Sequence, residues 1–320
     1  MRKIIRPNVH LPTLVQIRTT YSESQLNKTK DQGGPPEGKW NEPDVRGALY
    51  AIHGRVCAYC QRMVSDGRGA VEHFRPKSMY RWLQYELKNY FLSCTMCNSQ
   101  RKINKFPLVH SASRVTFATK DHLDTEERLL LDPAEDAIEG WVRVDYDDPM
   151  CPLKSLAADP LAKVRVQTTI DFFFLNTEQA IYTDRLHRLD LAGKLLVKAK
   201  QGDKELEEIV RKLASRYKPH GAAVRQMLIE RAPGILPPTR EEELEWLVQD
   251  LVDRVKEGIN LSKDTLPKGH QEAVRRNLKE DCWSLAVLWK APPAGTSAQV
   301  EAWINNTGLL SEVQQYYNQL

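Results

Sequence analysis

Residues 57–105 read CAYCQRMVSDGRGAVEHFRPKSMYRWLQYELKNYFLSCTMCNSQRKINK, opening with Cys57-x-x-Cys60 and returning to Cys94-x-x-Cys97. A thiolate pair at this spacing on a tight turn aims both sulfurs at one ion. Two such pairs supply the four ligands of a closed tetrahedral zinc site. Residues 61–93 separate the pairs, a longer gap than the roughly 15–20 residues of common zinc ribbons, so the gap holds something more. A redox Cys-x-x-Cys is one rival reading, and four unrelated buried thiols another. Two pairs in one basic segment without a thioredoxin-like context favour structural zinc. Such a zinc has no open position and implies no catalysis by itself. Cys151 and Cys282 stand alone and read as small buried apolar side chains.

The insert carries Val71-Glu72-His73-Phe74-Arg75-Pro76-Lys77. Asn89 lies five positions before the second pair, and Asn98 directly after it. Singly these are weak signals, since a lone histidine is more often structural and an asparagine is usually in a turn. Together they suit phosphodiester hydrolysis. The attacking water needs a general base, and histidine is the natural one near neutral pH. A divalent cation stabilises the charge developing on phosphate, and carboxylate and amide oxygens can hold it. Arg and Lys then hold the flanking phosphates. Arg75, Lys77, Arg101, Lys102 and Lys105 are the candidates. Between residues 51 and 110 ten Lys and Arg face only Asp66, Glu72 and Glu86, an excess larger than the +4 of the whole chain. A patch of that sign attracts polyanions, although a solvated basic face is the bland alternative.

Glu72-His73, Asn89 and Asn98, bracketed by the two cysteine pairs, resemble the motif of the HNH endonuclease family. The wording around them is similar to the HNH subunit (PtuB) of Septu-type and retron-associated anti-phage defence systems. It comprises Cys-x-Tyr-Cys, Val-Glu-His-Phe-Arg-Pro-Lys, Ser-Cys-x-x-Cys-Asn, Lys-Phe-Pro-Leu and, further on, Leu131-Asp132-Pro133. The resemblance is closest over residues 55–108 and looser to about 190. It implies a ββα-metal finger with His73 as general base, Glu72 and Asn98 as ligands of a catalytic Mg²⁺ or Mn²⁺, and Asn89 steadying the loop that carries His73. It also implies DNA as substrate and an ATPase partner (PtuA-like). The acid is Glu where many members have Asp, and the last position is Asn where many have His. Asp132 reads as a turn residue before Pro133.

Working outward, residues 25–45 are rich in Gly, Pro and charge and read as a linker or long loop. A short helix is expected over about 44–53. Residues 140–146 alternate at period two and read as a strand. From about Pro160 onward the pattern is helical, with expected helices at 164–175, 183–200, 203–217, 270–289 and 297–320. Thr239 with Glu242 fits a capping box ahead of another helix. The expected class is α+β, mostly α: a zinc-bracketed finger followed by a largely helical C-terminal region. The expected division is an N-terminal segment (1–45), a nuclease domain (46–150) and a helical region (151–320). No nucleotide-binding loop is present. No apolar run approaches the length of a membrane helix and no signal peptide is evident, so a cytoplasmic location without membrane association is expected. A zinc-stabilised nucleic-acid-binding module without catalysis, or an assembly protein built around the helices, are the competing functions.

Overall fold

The computed structural model describes residues 1–65, 69–263, 266–292 and 297–320. Asp66 and Arg68 of the basic segment, and residues 293–295 of the Ala291-Pro292-Pro293-Ala294-Gly295 stretch expected to split the last two helices, lie outside the described residues. In chain order the elements are α1 (Pro12–Thr20), α2 (Glu23–Leu26), α3 (Pro43–His53), β1 (Gly69–His73), β2 (Tyr90–Cys94), a π-helix (Met96–Lys102), α4 (Ile138–Trp141), β3 (Val142–Val144), β4 (Leu153–Ser155), α5 (Pro160–Phe172), α6 (Gln179–Ala199), α7 (Lys204–Leu213), α8 (Gly221–Arg231), α9 (Arg240–Lys263), α10 (Lys268–Lys290), α11 (Ser297–Asn305) and α12 (Leu310–Tyr317). Short 3-10 turns join several of them. The described residues are thus mostly helical, with two two-stranded sheets, β1–β2 and β3–β4. No helix among them is long and apolar enough to cross a membrane.

The chain forms two compact units. The first comprises Met1–Ile4, Val56–Val64 and Ser93–Pro238; the second comprises Ile5–Arg55, Ser65–Leu92 and Thr239–Leu320.

In the first unit, β3 and β4 pair antiparallel, Val142 opposite Ser155 and Val144 opposite Leu153. The core joins Val144 to Leu189, Ala192 and Leu196 of α6, Val210 of α7, and Val224 and Leu228 of α8. Helix starts follow local chemistry. Asp159 accepts from Ala162 N at 2.7 Å ahead of Pro160, and Asp203 accepts from Leu206 N at 3.1 Å. Each satisfies a backbone donor that the first turn leaves unpaired.

The second unit is built on α3 and α10. Pro43 starts α3 where a missing N–H costs nothing. The Asp44 carboxylate accepts from both Thr13 N and Thr13 Oγ1 at 2.9 Å, and Gly54 closes the helix at φ +58°. A Cβ on Gly47 would lie 2.4 Å from Trp283 Cβ and 2.7 Å from Glu280 O, so only glycine allows this approach of α10. Ser284 Oγ donates to Gly47 O at 2.8 Å across the same contact. The expected capping box forms at α9: Thr239 N donates to Glu242 Oε2 at 2.8 Å, and Glu242 N to Thr239 Oγ1 at 3.2 Å.

Of the two readings of residues 25–45, linker or long loop, the structure fits the loop. These residues form short turns whose Trp40 is buried, and the Tyr85 hydroxyl donates to Pro36 O within this unit. The 297–320 stretch is two helices, broken at Gly308, which takes φ +76°.

Candidate functional site

Cys57 and Cys60 sit on a tight knuckle between Val56 and Met63, which form an isolated antiparallel bridge. Cys57 N donates to Arg62 O at 3.0 Å and Gln61 N to Cys57 O at 3.2 Å. Gln61 turns the chain at φ +63°, and its side-chain amide also donates to Cys57 O at 3.0 Å. Cys94 ends β2 and Cys97 lies in the π-helix that comes next. All four Sγ atoms lie within 4.8 Å of one another, with Cys60 and Cys94 Sγ 3.7 Å apart. Zinc–sulfur bonds of about 2.3 Å in a tetrahedron place sulfurs about 3.8 Å apart, so the cluster fits a zinc ion. Three of the four residues are buried. Burial opposes ionisation of Cys57, yet hydrogen bonds from Cys60, Cys94 and Cys97 hold its pKa well below the ordinary thiol value. Cys60 and Cys97 are pushed well above it, chiefly by their hydrogen bonds with Cys57. A cation among the four sulfurs would supply the charge that lets all of them ionise in so small a buried volume.

Glu72, His73 and Asn89 belong to the second unit. β1 delivers Glu72 and His73 at its end, both buried. His73 Nε2 lies 3.1 Å from Gln84 O. A carbonyl only accepts, so Nε2–H is the donor in this contact. The imidazole meets Trp40 and Tyr90 edge-on, both at 5.0 Å between centroids. The Tyr90 hydroxyl donates to the same Gln84 carbonyl, and Gln84 Nε2 donates to Leu26 O at 3.1 Å. Burial pushes the Tyr90 phenol pKa well up, so it stays a donor. Asn89 spans the loop after His73. Its Oδ1 accepts from Arg75 N at 2.8 Å, and its Nδ2 donates to Arg75 O at 3.0 Å and Leu83 O at 3.3 Å. Asn98 lies in the first unit, half-buried in the π-helix, with its carbonyl accepting from Ile103 N at 2.7 Å.

The basic residues differ in availability. Lys77 Nζ is 3.0 Å from Glu37 Oε2 and 4.6 Å over the Trp40 ring, and this pairing holds the Glu37 carboxyl below its ordinary value. Arg75 is half-buried, its guanidinium 5.9 Å from the Tyr80 ring centre. Arg101 is paired with Glu178 and lies 4.0 Å over the Phe174 ring. Lys102 is fully buried, so its ammonium does not reach a phosphate at the surface, contrary to the sequence expectation. Lys105 is exposed.

Sequence reasoning missed Trp40, Gln84 and Tyr90, which wall and orient His73. Tyr90 and Gln84 lie between the cysteine pairs, but nothing in their spacing marks them. Trp40 sits in a stretch whose Gly and Pro content masks it. Comparison with protein-family models, curated proteins and solved structures gives no match to this chain.

Proposed function

We propose that the chain is a metal-dependent HNH-type endonuclease that hydrolyses DNA phosphodiester bonds, its finger held by a structural zinc on Cys57, Cys60, Cys94 and Cys97. The resemblance of residues 55–108 suggests the reading, and the geometry of His73 is the observation that carries it. The Gln84 carbonyl accepts from Nε2–H at 3.1 Å, the hydrogen bond made by the tautomer that a general base acting through Nδ1 needs. That carbonyl also stabilises the imidazolium once the proton is taken. Trp40 and Tyr90 restrict the ring to one orientation, which lowers the entropy lost in reaching the reactive geometry. Asn89 locks the backbone just beyond the base. By the same resemblance, Glu72 is a candidate carboxylate ligand for a Mg²⁺ or Mn²⁺ ion. Glu72 is a carboxylate with 1% exposure, a burial that a paired or coordinated anion tolerates. When bound, such an ion supplies Lewis-acid stabilisation of charge on the phosphate. By the same resemblance the enzyme acts beside a partner ATPase, in defence against phage.

The test is cleavage of plasmid DNA by the purified chain and by His73→Ala, with Mg²⁺ or Mn²⁺ and then with EDTA, each with and without the neighbouring ATPase. Cutting that needs the metal and falls by about 10² or more in the variant, with folding unchanged, supports the nuclease. Equal cutting by both proteins rejects His73 as the base. Binding of DNA with no cutting under any of these conditions favours the zinc-stabilised binding module.

A further inference from the structure

Helix α5 ends at Phe172 and runs on into Phe173 and Phe174, whose rings have different fates. Phe173 is fully buried and stacks on Tyr59 of the cysteine knuckle, with centroids 4.0 Å apart and planes 16° apart. Phe174 is 43% exposed. Its backbone takes φ +52°, with Phe174 N donating to Asp171 O at 3.1 Å and Leu175 N to Ile170 O at 2.9 Å. This is the helix-ending motif whose left-handed residue is usually Gly or Asn, because a Cβ there is strained. The chain therefore keeps a large exposed aromatic at a position where its own backbone favours glycine. An outlier of this kind points to a task outside folding.

Phe174 borders an open groove of about 550 Å³ with Phe172, Asp171, Thr168, Gln100, Arg101 and Lys105. That volume lies within the roughly 300–1,000 Å³ typical of ligand sites. The Arg101 guanidinium lies 4.0 Å over the Phe174 ring and covers that face, so a base would stack on the opposite face, while Glu178 pairs with the guanidinium. Asp171 accepts from Gln167 Nε2 at 2.9 Å and presents an anionic acceptor that would repel a phosphate but accept from an amino group of a base. Lys105 is exposed and forms no ion pair among the described residues, so it is the cation available for phosphate.

We propose that this groove binds an unpaired nucleobase of a single-stranded nucleic acid, with Phe174 as the stacking surface and Lys105 on the flanking phosphate. Nucleic acid as the occupant rests on the nuclease function proposed for the finger. Every base offers a π-face, so stacking of this kind is tolerant of sequence and needs the base out of a duplex. The groove is bordered by the π-helix that carries Cys97 and Asn98, so it would hold a strand opened or frayed beside the cysteine cluster.

The experiment measures binding of a labelled 20-nucleotide single strand, as DNA and as RNA, and of the matching duplex, by fluorescence anisotropy. It uses the full chain without added divalent metal. Phe174→Gly should keep or raise the melting temperature, since it relieves the left-handed backbone, and should weaken single-strand binding about tenfold with duplex binding unchanged. Phe174→Asn should behave alike. Lys105→Gln should reduce the salt dependence by about one phosphate contact. Single-strand binding equal to wild type in both Phe174 variants, or equal losses for strand and duplex, overturns the proposal. Displacement of the strand by a mononucleotide at equal base concentration would assign the groove to free nucleotides and also overturn it. Because no hydrolysis is read, a Phe174→Gly variant that binds normally beside a His73→Ala variant that no longer cuts would remove this site and leave the nuclease standing.

Discussion

The Asn89 carboxamide holds the backbone of Arg75 from both sides, accepting from its N–H at 2.8 Å and donating to its carbonyl at 3.0 Å. Arg75 lies two residues beyond His73, so the clamp fixes the chain as it leaves β1. Asn89→Ala strands a donor and an acceptor in a partly buried loop and should cost about 1–3 kcal/mol. Asn89→Asp should do no better, since a carboxylate would face the Arg75 and Leu83 carbonyls. Denaturant midpoints measure the stability loss, and cleavage at a temperature where both variants are folded shows whether His73 is displaced as well. Full stability in Asn89→Ala would refute the clamp.

The cysteine cluster should bind one zinc ion, and its binding energy should appear as folding energy. Cys57→Ser is expected to lower both zinc content and melting temperature together, with loss of the knuckle rather than a graded change. A strong chelator should do the same to the wild type, and added zinc should reverse it. Unchanged zinc content and activity in Cys57→Ser would sink the structural site.

Arg46 and Glu280 form a buried ion pair, Nε to Oε1 at 2.7 Å, and Arg46 also donates to Gly69 O at 2.8 Å where β1 begins. Beside it Arg55 and Arg254 both pair with Asp281, at 2.5 and 3.1 Å. Removing one partner leaves a charge buried without compensation, so Arg46→Met should destabilise by about 3–5 kcal/mol. The double variant Arg46→Met/Glu280→Leu should recover most of that loss, because it removes both charges. A double-mutant cycle by urea unfolding decides it, and additive losses would show that the pair is not coupled.

His220 packs against Asp184 at 3.3 Å, with only 4% of its surface exposed. Burial lowers its pKa from the ordinary 6.5, more than the Asp184 hydrogen bond raises it. Between that value and the lower folded one, the unfolded chain binds more protons. This contribution to stability is therefore complete above 6.5 and is lost as pH falls through the folded pKa. Asp184, held below the ordinary carboxylate value mainly by the hydrogen bond to His220, adds a loss of the same sign at lower pH. Urea midpoints measured from pH 7.5 to 5 should fall in the wild type and flatten in His220→Asn. Asparagine tolerates the φ of +51° at this position. A midpoint that rises on acidification would show that the His220–Asp184 attraction outweighs burial.

Some of this architecture was readable because its cause is local. Thr239 and Glu242 announce their helix by a reciprocal pair of hydrogen bonds three residues apart. The two Cys-x-x-Cys turns announce a metal cluster because each turn aims its own sulfurs. Helix α8 was not readable: the residue before it, His220, is left-handed and makes no side-chain cap, and so gives no start signal in the sequence. The basic residues were only half readable. Charge counting treats Lys102 and Lys105 alike, but Lys102 is buried and Lys105 is exposed, and only the folded helix distinguishes them.

The sequence by itself determined that four cysteines come in two metal-ready pairs, that an acid–histidine pair lies between them, and that most of the chain beyond Pro160 is helix. Tertiary structure alone decided that the histidine is walled by Trp40 and Tyr90 and oriented by the Gln84 carbonyl. It also decided that α10 lies against Gly47 of α3, and that Phe174 is turned out while Phe173 is turned in. The first group arises from turns and periodicities within a few residues of chain. The second depends on contacts between distant segments, whose partners are selected by shape and burial in the folded core and leave no pattern in the local sequence.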